Sequence, residues 1–588
     1  MKFNKHLIYI ACAAASFSMV SCDDFLDKNR YPLDIQTDQP AYWNNKVNVE
    51  AQLDAFYGYY TGYGNGASWV NDFYYRSLND DQCAQMNSGS GVVFTQWPYQ
   101  YAPVSNSVWD ATYVAIRKCN TIVIKVEGST LPEPEKLNYT AIARLNRAYQ
   151  YWDLVRNIGD VPLIEGILDT DSEELYGPRT PRNEVMDYVL KDINFACENI
   201  AQQSNKIEFS KDMANAMKAE ICLYEAAFAK YHQHDNARAT KYYEEVVNAC
   251  NNLMGKYEVC DDYRSLFNSM WAADSEKGYV SLRDNGEVIF MKGYLAGTLG
   301  HSMIKYLSSN TPIAGMTKDA FDAYLFKDGK PLATTGEVKD DAAVPTEDGL
   351  SIEAALAVRD NRLAQTIDSY LAFNGNSHQR PNSDPLASNT GYTIKRFVNP
   401  GMSYDDCTTD GRNATCAPIY WMAEIYLALA EAKAELGTLT DADLNNTINK
   451  LFKRAELPAR TVAELNAIND PANNAGVSSL IWEIRRCRRC ELMFCKNARW
   501  WDMIRWHQLD KLDTVKYPNT AMGANVSKAS AEQVKNVSVT NGYIDAAKNS
   551  AAVSTRIYNE REYLQPIGTT QLRLNKQLEQ NPGWGTGN

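Results

Sequence analysis

Residues 212–232, DMANAMKAEICLYEAAFAKYH, and residues 236–255, NARATKYYEEVVNACNNLMG, are two helix-forming stretches joined by a few polar residues. So short a link makes two helices antiparallel neighbours, and the alanines at their contacts permit close packing. The pattern extends upstream. In residues 141–160, AIARLNRAYQYWDLVRNIGD, Leu145, Ala148, Tyr149, Trp152, Leu154 and Val155 recur at helical spacing, and Gly159 with Pro162 supplies a stop. Thr180 and Pro181 then open a helix that carries Val185, Tyr188, Val189, Ile193 and Ala196 inward. Helix pairs in succession predict a mainly α fold, a tetratricopeptide-like helical-pair scaffold. It is irregular, because the full repeat consensus is not matched.

From about residue 257 to 416 the character changes. Gly, Asp, Asn and Pro become frequent, KDGKPLATTGEVKDDAAVPTEDG (327–349) is the clearest loop signal, and GEVIFMKGY (286–294) suggests a short strand. The predicted organisation is a signal peptide, 1–21, followed by a single domain, 22–588. Its helical scaffold covers about 45–256 and 417–588, and a loop-rich, ligand-facing insertion with short strands covers about 257–416. Rigid scaffolds display functional loops, so a site is expected in the insertion and in the Gly-rich loop TGYGNGASW (61–69).

Helices resume with APIYWMAEIYLALAEAKAELG (417–437), where Ile419, Met422, Tyr426 and Leu429 form one stripe and Gly437 ends it. SLIWEIRRCRRCELMFCKNARWWDMIRW (479–506) reads as one long helix with Glu491 inside its apolar face. A carboxylate there needs a partner, and Arg488 one turn earlier is available; an internal ion pair is favoured over a catalytic acid. The chain has 13 cysteines, and without Cys12 and Cys22 an odd number is scattered with no disulfide-framework spacing, so most are read as small buried hydrophobes. Cys487, Cys490 and Cys495 include a Cys-x-x-Cys pair, but no second pair or His pair follows, so no metal site is assigned.

At the N-terminus, Lys2 and Lys5 precede an apolar run over residues 7–20, too short for a bilayer span and laid out as a secretory signal. Met19-Val20-Ser21 before Cys22 resembles the lipobox of bacterial lipoproteins, which makes Cys22 the expected lipidation site. Acyl chains there would anchor the protein at about 0.8 kcal/mol per buried methylene. The acidic DDFLD that follows resembles a surface-export signal, pointing to the extracellular face of an outer membrane.

Composition is that of an ordinary globular protein, 45% apolar and 22% charged, and a net charge of -13 argues against nucleic acid as a partner. The 36 tyrosines and 12 tryptophans suit wet interfaces with sugars or proteins. A sugar has an apolar face and a rim of hydroxyls, so its site needs an aromatic platform beside polar donors and acceptors. Two regions offer that mixture. Residues 71–101 hold Asp80, Asp81, Gln82, Trp97 and Tyr99, with Pro98 keeping Trp97 extended. The insertion holds Trp271, Tyr279, Tyr294 and His301. No cofactor is called, and no oxygen-rich loop of standard spacing indicates calcium.

Several segments in order resemble the SusD/RagB-like family of nutrient-binding outer-membrane lipoproteins: the lipobox; RAYQYWDLVRNIGDVPLI (147–164); RDNRL (359–363), with Asn361 in place of proline; WMAEIYLALAEA (421–432); RRCRRCELMFCKNARWWDMIRW (485–506), with Cys495 and Lys496 where Glu and Gly are usual; and YLQPIGTTQLRLNKQLEQNPGW (563–584). The resemblance implies capture of oligosaccharides or polysaccharide without chemistry and their delivery to a SusC-like TonB-dependent transporter barrel. It also adds Arg362 and Tyr392, from RDNRL and GYTIKRF, to the candidate ligand groups. Competing readings are an all-α glycoside hydrolase or lyase, a purely structural lid of a transporter complex, and peptide capture. Glycoside hydrolysis needs two carboxylates facing each other about 5–9 Å apart, and the adjacent Asp80 and Asp81 diverge on most backbones.

Overall fold

The structure is a computed structural model that describes residues 39–588, apart from 69–70, 74–79, 86–96, 98, 308–313, 374–377, 380–384, 387, 549–554 and 586–588. The signal peptide, Cys22 and Pro98 lie outside the described residues. Among the described residues, no helix is long and apolar enough to cross a membrane.

The protein is mainly α. A short helix α1 (Lys46–Asp54) leads to α2 (Ser107–Glu127), α3 (Glu133–Ile158), α4 (Arg182–Asn199), α5 (Lys211–Tyr231) and α6 (Asn236–Asn251), and from α2 onward each packs on the next. Side-chain caps start α2, α5 and α6: Asn106 accepts from Val108 N and Trp109 N, Ser210 from Met213 N, and Asp235 from Arg238 N. Helices α3 and α4 open on Pro132 and Pro181 without a side-chain cap, so the expected Thr180 cap of α4 is not formed. Between α5 and α6 the chain reverses through His234 at φ 55°. Helix α5 is buried almost all round, as its alanine-rich sequence requires of a central helix.

Helix α6 packs next on α7 (Met422–Glu435), and α7 on α8 (Ser479–Glu491), so the succession of helices continues past residues 257–416. Within that stretch no described helix exceeds 6 residues. Two antiparallel strand pairs tie it down. β1 (Cys83–Gln85) pairs with β3 (Ala314–Met316), and β2 (Val288–Lys292) pairs with β4 (Ala417–Trp421).

Two expectations for this half are corrected. Residues 417–421 are a strand buried along its whole length, and the helix begins only at Met422. A short apolar run buried on every side has no periodicity that separates strand from helix, which is why Ile419 joined the helical stripe. Residues 479–506 are two helices, α8 and α9 (Ala498–Arg505), separated by a turn in which Phe494, Lys496 and Asn497 take φ of 56°, 52° and 53°. Lys496, standing where the resemblance has Gly, is held in that left-handed conformation by its ammonium, 3.2 Å from Glu424 and 4.0 Å from the centre of the Tyr420 ring.

Arginines of α8 and α9 each meet a carboxylate. Glu491, fully buried, is paired as expected inside the protein, but with Arg362 (2.7 Å) and Arg454; Arg488 turns to Asp502 at 2.9 Å. Arg454 also holds Glu287 at 2.6 Å, and Arg505 grips Glu431 at 2.6 and 2.7 Å. Burial alone would raise the Glu431 carboxyl; Arg505 overrides it and holds it down at about 2. Cys487, Cys490 and Cys495 are buried free thiols, each pushed up to about 12 by burial. Removing one partner of a buried charge group strands the others. Glu491→Leu is expected to lower the unfolding free energy by about 3–5 kcal/mol in urea titration. Lys277→Ala, at an exposed pair 3.7 Å from Asp274, is expected to leave it unchanged within error.

Candidate functional site

A groove of about 850 Å³ opens where α1 and the turn after it, the start of α3, the 203–209 segment, strand β2 and the 293–299 hairpin converge. That volume lies within the range of small-molecule sites, about 300–1,000 Å³. Its walls are aromatic. The Tyr57 ring stacks on Phe209 with centroids 4.3 Å apart, and its hydroxyl accepts from Phe209 N at 3.3 Å. Burial pushes the Tyr57 phenol up to about 12, the Phe209 bond opposes that, and the charges of Glu208 and Asp54 add to it. The lining also holds Trp271, seated against Gly293 so closely that a Cβ there would come within 2.5 Å of the ring; only glycine fits. The Arg283 guanidinium lies 4.7 Å from the Trp271 ring centre.

Polar groups sit among the rings. Tyr139 donates its hydroxyl to Glu50 at 2.8 Å, and Asn138 and Gln203 bring amides to the lining. Lys292, at the end of β2, donates to Thr61 O (3.1 Å) and Asn65 Oδ1 (2.7 Å) in the Gly-rich loop. Tyr294 clamps the same loop, donating to Gly64 O at 2.7 Å and accepting from Tyr63 N at 2.9 Å. The mouth carries exposed apolar residues, Ile207, Leu295 and Leu299. Leu295 and Leu299 bond to each other across a hairpin turned by Gly297 at φ 78°.

Of the residues proposed from sequence, Trp271 and Tyr294 meet at this groove, but Tyr294 is buried behind its surface with its hydroxyl committed to the Gly-rich loop. His301 lies directly behind, its ring 4.7 Å from Tyr294, but it is fully buried. Its Nδ1 accepts from Met303 N and its Nε2 donates to Thr415 O at 3.1 Å, a neutral tautomer that burial enforces by pushing its pKa down to about 3. Tyr279 is half-buried elsewhere and donates to Gly401 O at 3.2 Å. Trp97, also half-buried, donates its indole N–H to Ile557 O at 2.8 Å beside Arg556. Tyr99 borders a small crevice with Trp500, Tyr563 and Trp584.

Four others are corrected to the interior. Asp81 accepts a two-pronged bond from Arg499 at 2.9 and 2.7 Å, with Arg489 at 3.1 Å; burial would raise its carboxyl, but Arg489, Arg499 and Lys511 hold it well below the usual range. Asp80 is buried and bonded to Gln82 N and Nε2, with its carboxyl pushed up to about 7 by burial and by Asp81. Arg362 is spent on Asp360 and Glu491. Tyr392 is buried with its ring stacked on Phe321 at 4.7 Å. Sequence reading passed over Tyr57, Glu50, Asp54, Tyr139, Gln203, Glu208 and Lys292. The available signal was the tyrosine-dense FYGYYTGYG (56–64), which runs directly into the Gly-rich loop already singled out.

Comparison with known proteins bears on this architecture. The sequence profile of the SusD family matches residues 286–584, and that described as "Starch-binding associating with outer membrane" matches residues 24–223. A SusD-like protein of Formosa agariphila is 25% identical over 426 residues, 71% of this chain and 73% of its own length. A SusD-like protein of Bacteroides ovatus is 25% identical over 279 residues, 44% of this chain and 47% of its own length. Among solved structures, a SusD-like carbohydrate binding protein from Bacteroides fragilis superposes with a TM-score of 0.67 at 20% identity, covering 92% of this chain and 100% of that one. A laminarin binding SusD-like protein superposes with a TM-score of 0.54 at 19% identity, with the same coverage. At those identities the superpositions speak for the fold.

The buried neutral His301 sets a pH dependence. The unfolded chain takes up a proton near 6.5 that the folded chain refuses until about 3, so stability falls as pH drops through that window. The loss is up to about 1.4 kcal/mol per pH unit from this residue. Urea unfolding between pH 6.5 and 5 is expected to show a shallower acid-side decline in His301→Gln than in the parent.

Proposed function

The chain belongs to the SusD family, and we propose that it captures oligosaccharides or polysaccharide at the cell surface and hands them to a TonB-dependent outer-membrane transporter, performing no chemistry itself. The groove is the observation that carries this reading. It combines aromatic walls, Tyr57 and Trp271, with carboxylates and amides at its edge, the mixture that a sugar's two chemical faces require. The similar folds of a carbohydrate binding and a laminarin binding SusD-like protein, and the family profile described as starch-binding associating with outer membrane, support the same ligand class. Cys22 is proposed as the lipid anchor that keeps the protein on the membrane.

The hydrolase reading of the adjacent pair Asp80 and Asp81 is disfavoured by how those carboxylates are used. Asp80 and Asp81, the adjacent pair considered for hydrolysis, are sealed in the core, and Glu50 in the groove is occupied by Tyr139. A glycosidase needs an acid and a second carboxylate free to face each other across the scissile bond.

Native affinity electrophoresis of residues 23–588 through gels containing plant, fungal, host and bacterial polysaccharides tests the proposal. Retardation by at least one polymer is expected, with Trp271→Ala weakening it about tenfold, roughly 1.4 kcal/mol. Uniform mobility on the whole panel, or release of cleaved product, would overturn it. Full retention of sugar binding by Trp271→Ala would move the site out of this groove.

A further inference from the structure

The charges lining the groove are lopsided. Glu50, Asp54 and Glu208 border it on the α1 side and the adjoining 203–209 segment, against Lys292 in the lining and the Arg283 guanidinium beside the Trp271 ring. Lys292 is committed to Thr61 O and Asn65 Oδ1, so its charge is directed into the Gly-rich loop. Glu50 has Tyr139 and, at 3.6 Å, Lys46. Asp54 and Glu208 are exposed and have no ion pair among the described residues. Both reach the binding surface electrically, because both push up the Tyr57 phenol that forms its floor with Phe209. The chain as a whole adds to this field with a net charge of -13.

We propose, resting on the capture reading above, that this groove selects its glycan by charge, accepting neutral and amine-bearing sugars and rejecting uronate- or sulfate-bearing ones, with Asp54 and Glu208 as the specificity-determining residues. A carboxylate or sulfate entering over Tyr57 would meet two unneutralised negative charges at the exposed edge of the groove. Coulomb repulsion there is several times stronger than in open water, and it is screened by salt over about 8–10 Å. A neutral sugar feels none of it and can donate its hydroxyls to those same carboxylates. A protonated amino sugar gains from both.

The test keeps linkage and chain length constant. The polymer that retards the parent protein is oxidised at its primary alcohols to uronates, and both forms are compared by isothermal titration at low and high salt. The oxidised form is expected to bind at least about tenfold more weakly at low ionic strength. The gap should narrow at 0.5 M salt, and it should narrow in the double variant D54N/E208Q, which changes two exposed positions. Loss of a hydroxyl contact alone would leave a penalty indifferent to salt and to the variant, and that result would overturn the charge rule while capture stands. Equal or tighter binding of the oxidised form would overturn it likewise. If no polymer of either kind is bound by the parent, the capture reading fails first, and the charge rule fails with it.

Discussion

Everything on the ligand side hangs from the buried charges of α8 and α9. Glu491 alone would be intolerable in an interior without water, and so would Arg362 or Arg454; together they form a group that each member needs. The partners come from distant parts of the chain. Arg362 belongs to the loop-rich stretch, Arg454 to the helices after α7, and Glu287, the second partner of Arg454, immediately precedes β2. Asp81 and Asp319 join from either side of the β1–β3 pair through Arg489. Segments with too little regular structure to build a core of their own are thereby fixed to the helices by ions that cannot be left unpaired.

That anchoring reaches the groove in two steps. Glu287 fixes the entry to β2, and β2 pairs with β4, which runs directly into α7. At the far end of β2, Lys292 and Tyr294 hold the Gly-rich loop, while Gly293 between them leaves room for Trp271. One short strand therefore connects the ionic centre to the aromatic wall. A pre-formed wall loses little conformational entropy when a ligand docks, which matters for sugars, whose individual hydrogen bonds are weak against competing water.

The helical scaffold was legible because alanine-rich, 3.6-periodic stretches bounded by Gly and Pro have one good solution. The left-handed turn at 494–497 was not, because a count of apolar positions carries no information on backbone handedness. The anchor role of Glu491 was legible from its place on an apolar face, but its partners were not: sequence spacing offers only the near neighbour Arg488, whereas Arg362 is 129 positions away. The same limit explains the site. Trp271 and Tyr294 come together at the groove because both lie in the stretch that looked like display loops, though Tyr294 is buried. Asp81 and Arg362 looked like ligand groups for the very reason that they serve the interior: charged residues in loop-like surroundings read as exposed until the fold supplies their partners. Tyr57 and Glu208 were missed because only packing brings the α1 region and the 203–209 segment against β2.

The measurement that bears most directly on the account is a crystal structure of the protein with a retained oligosaccharide. The account predicts a sugar ring with its apolar face against Trp271 or Tyr57, and hydroxyls within hydrogen-bond distance of the groove's amides and carboxylates. A ligand seated elsewhere, with the groove between α1 and β2 empty, would contradict it.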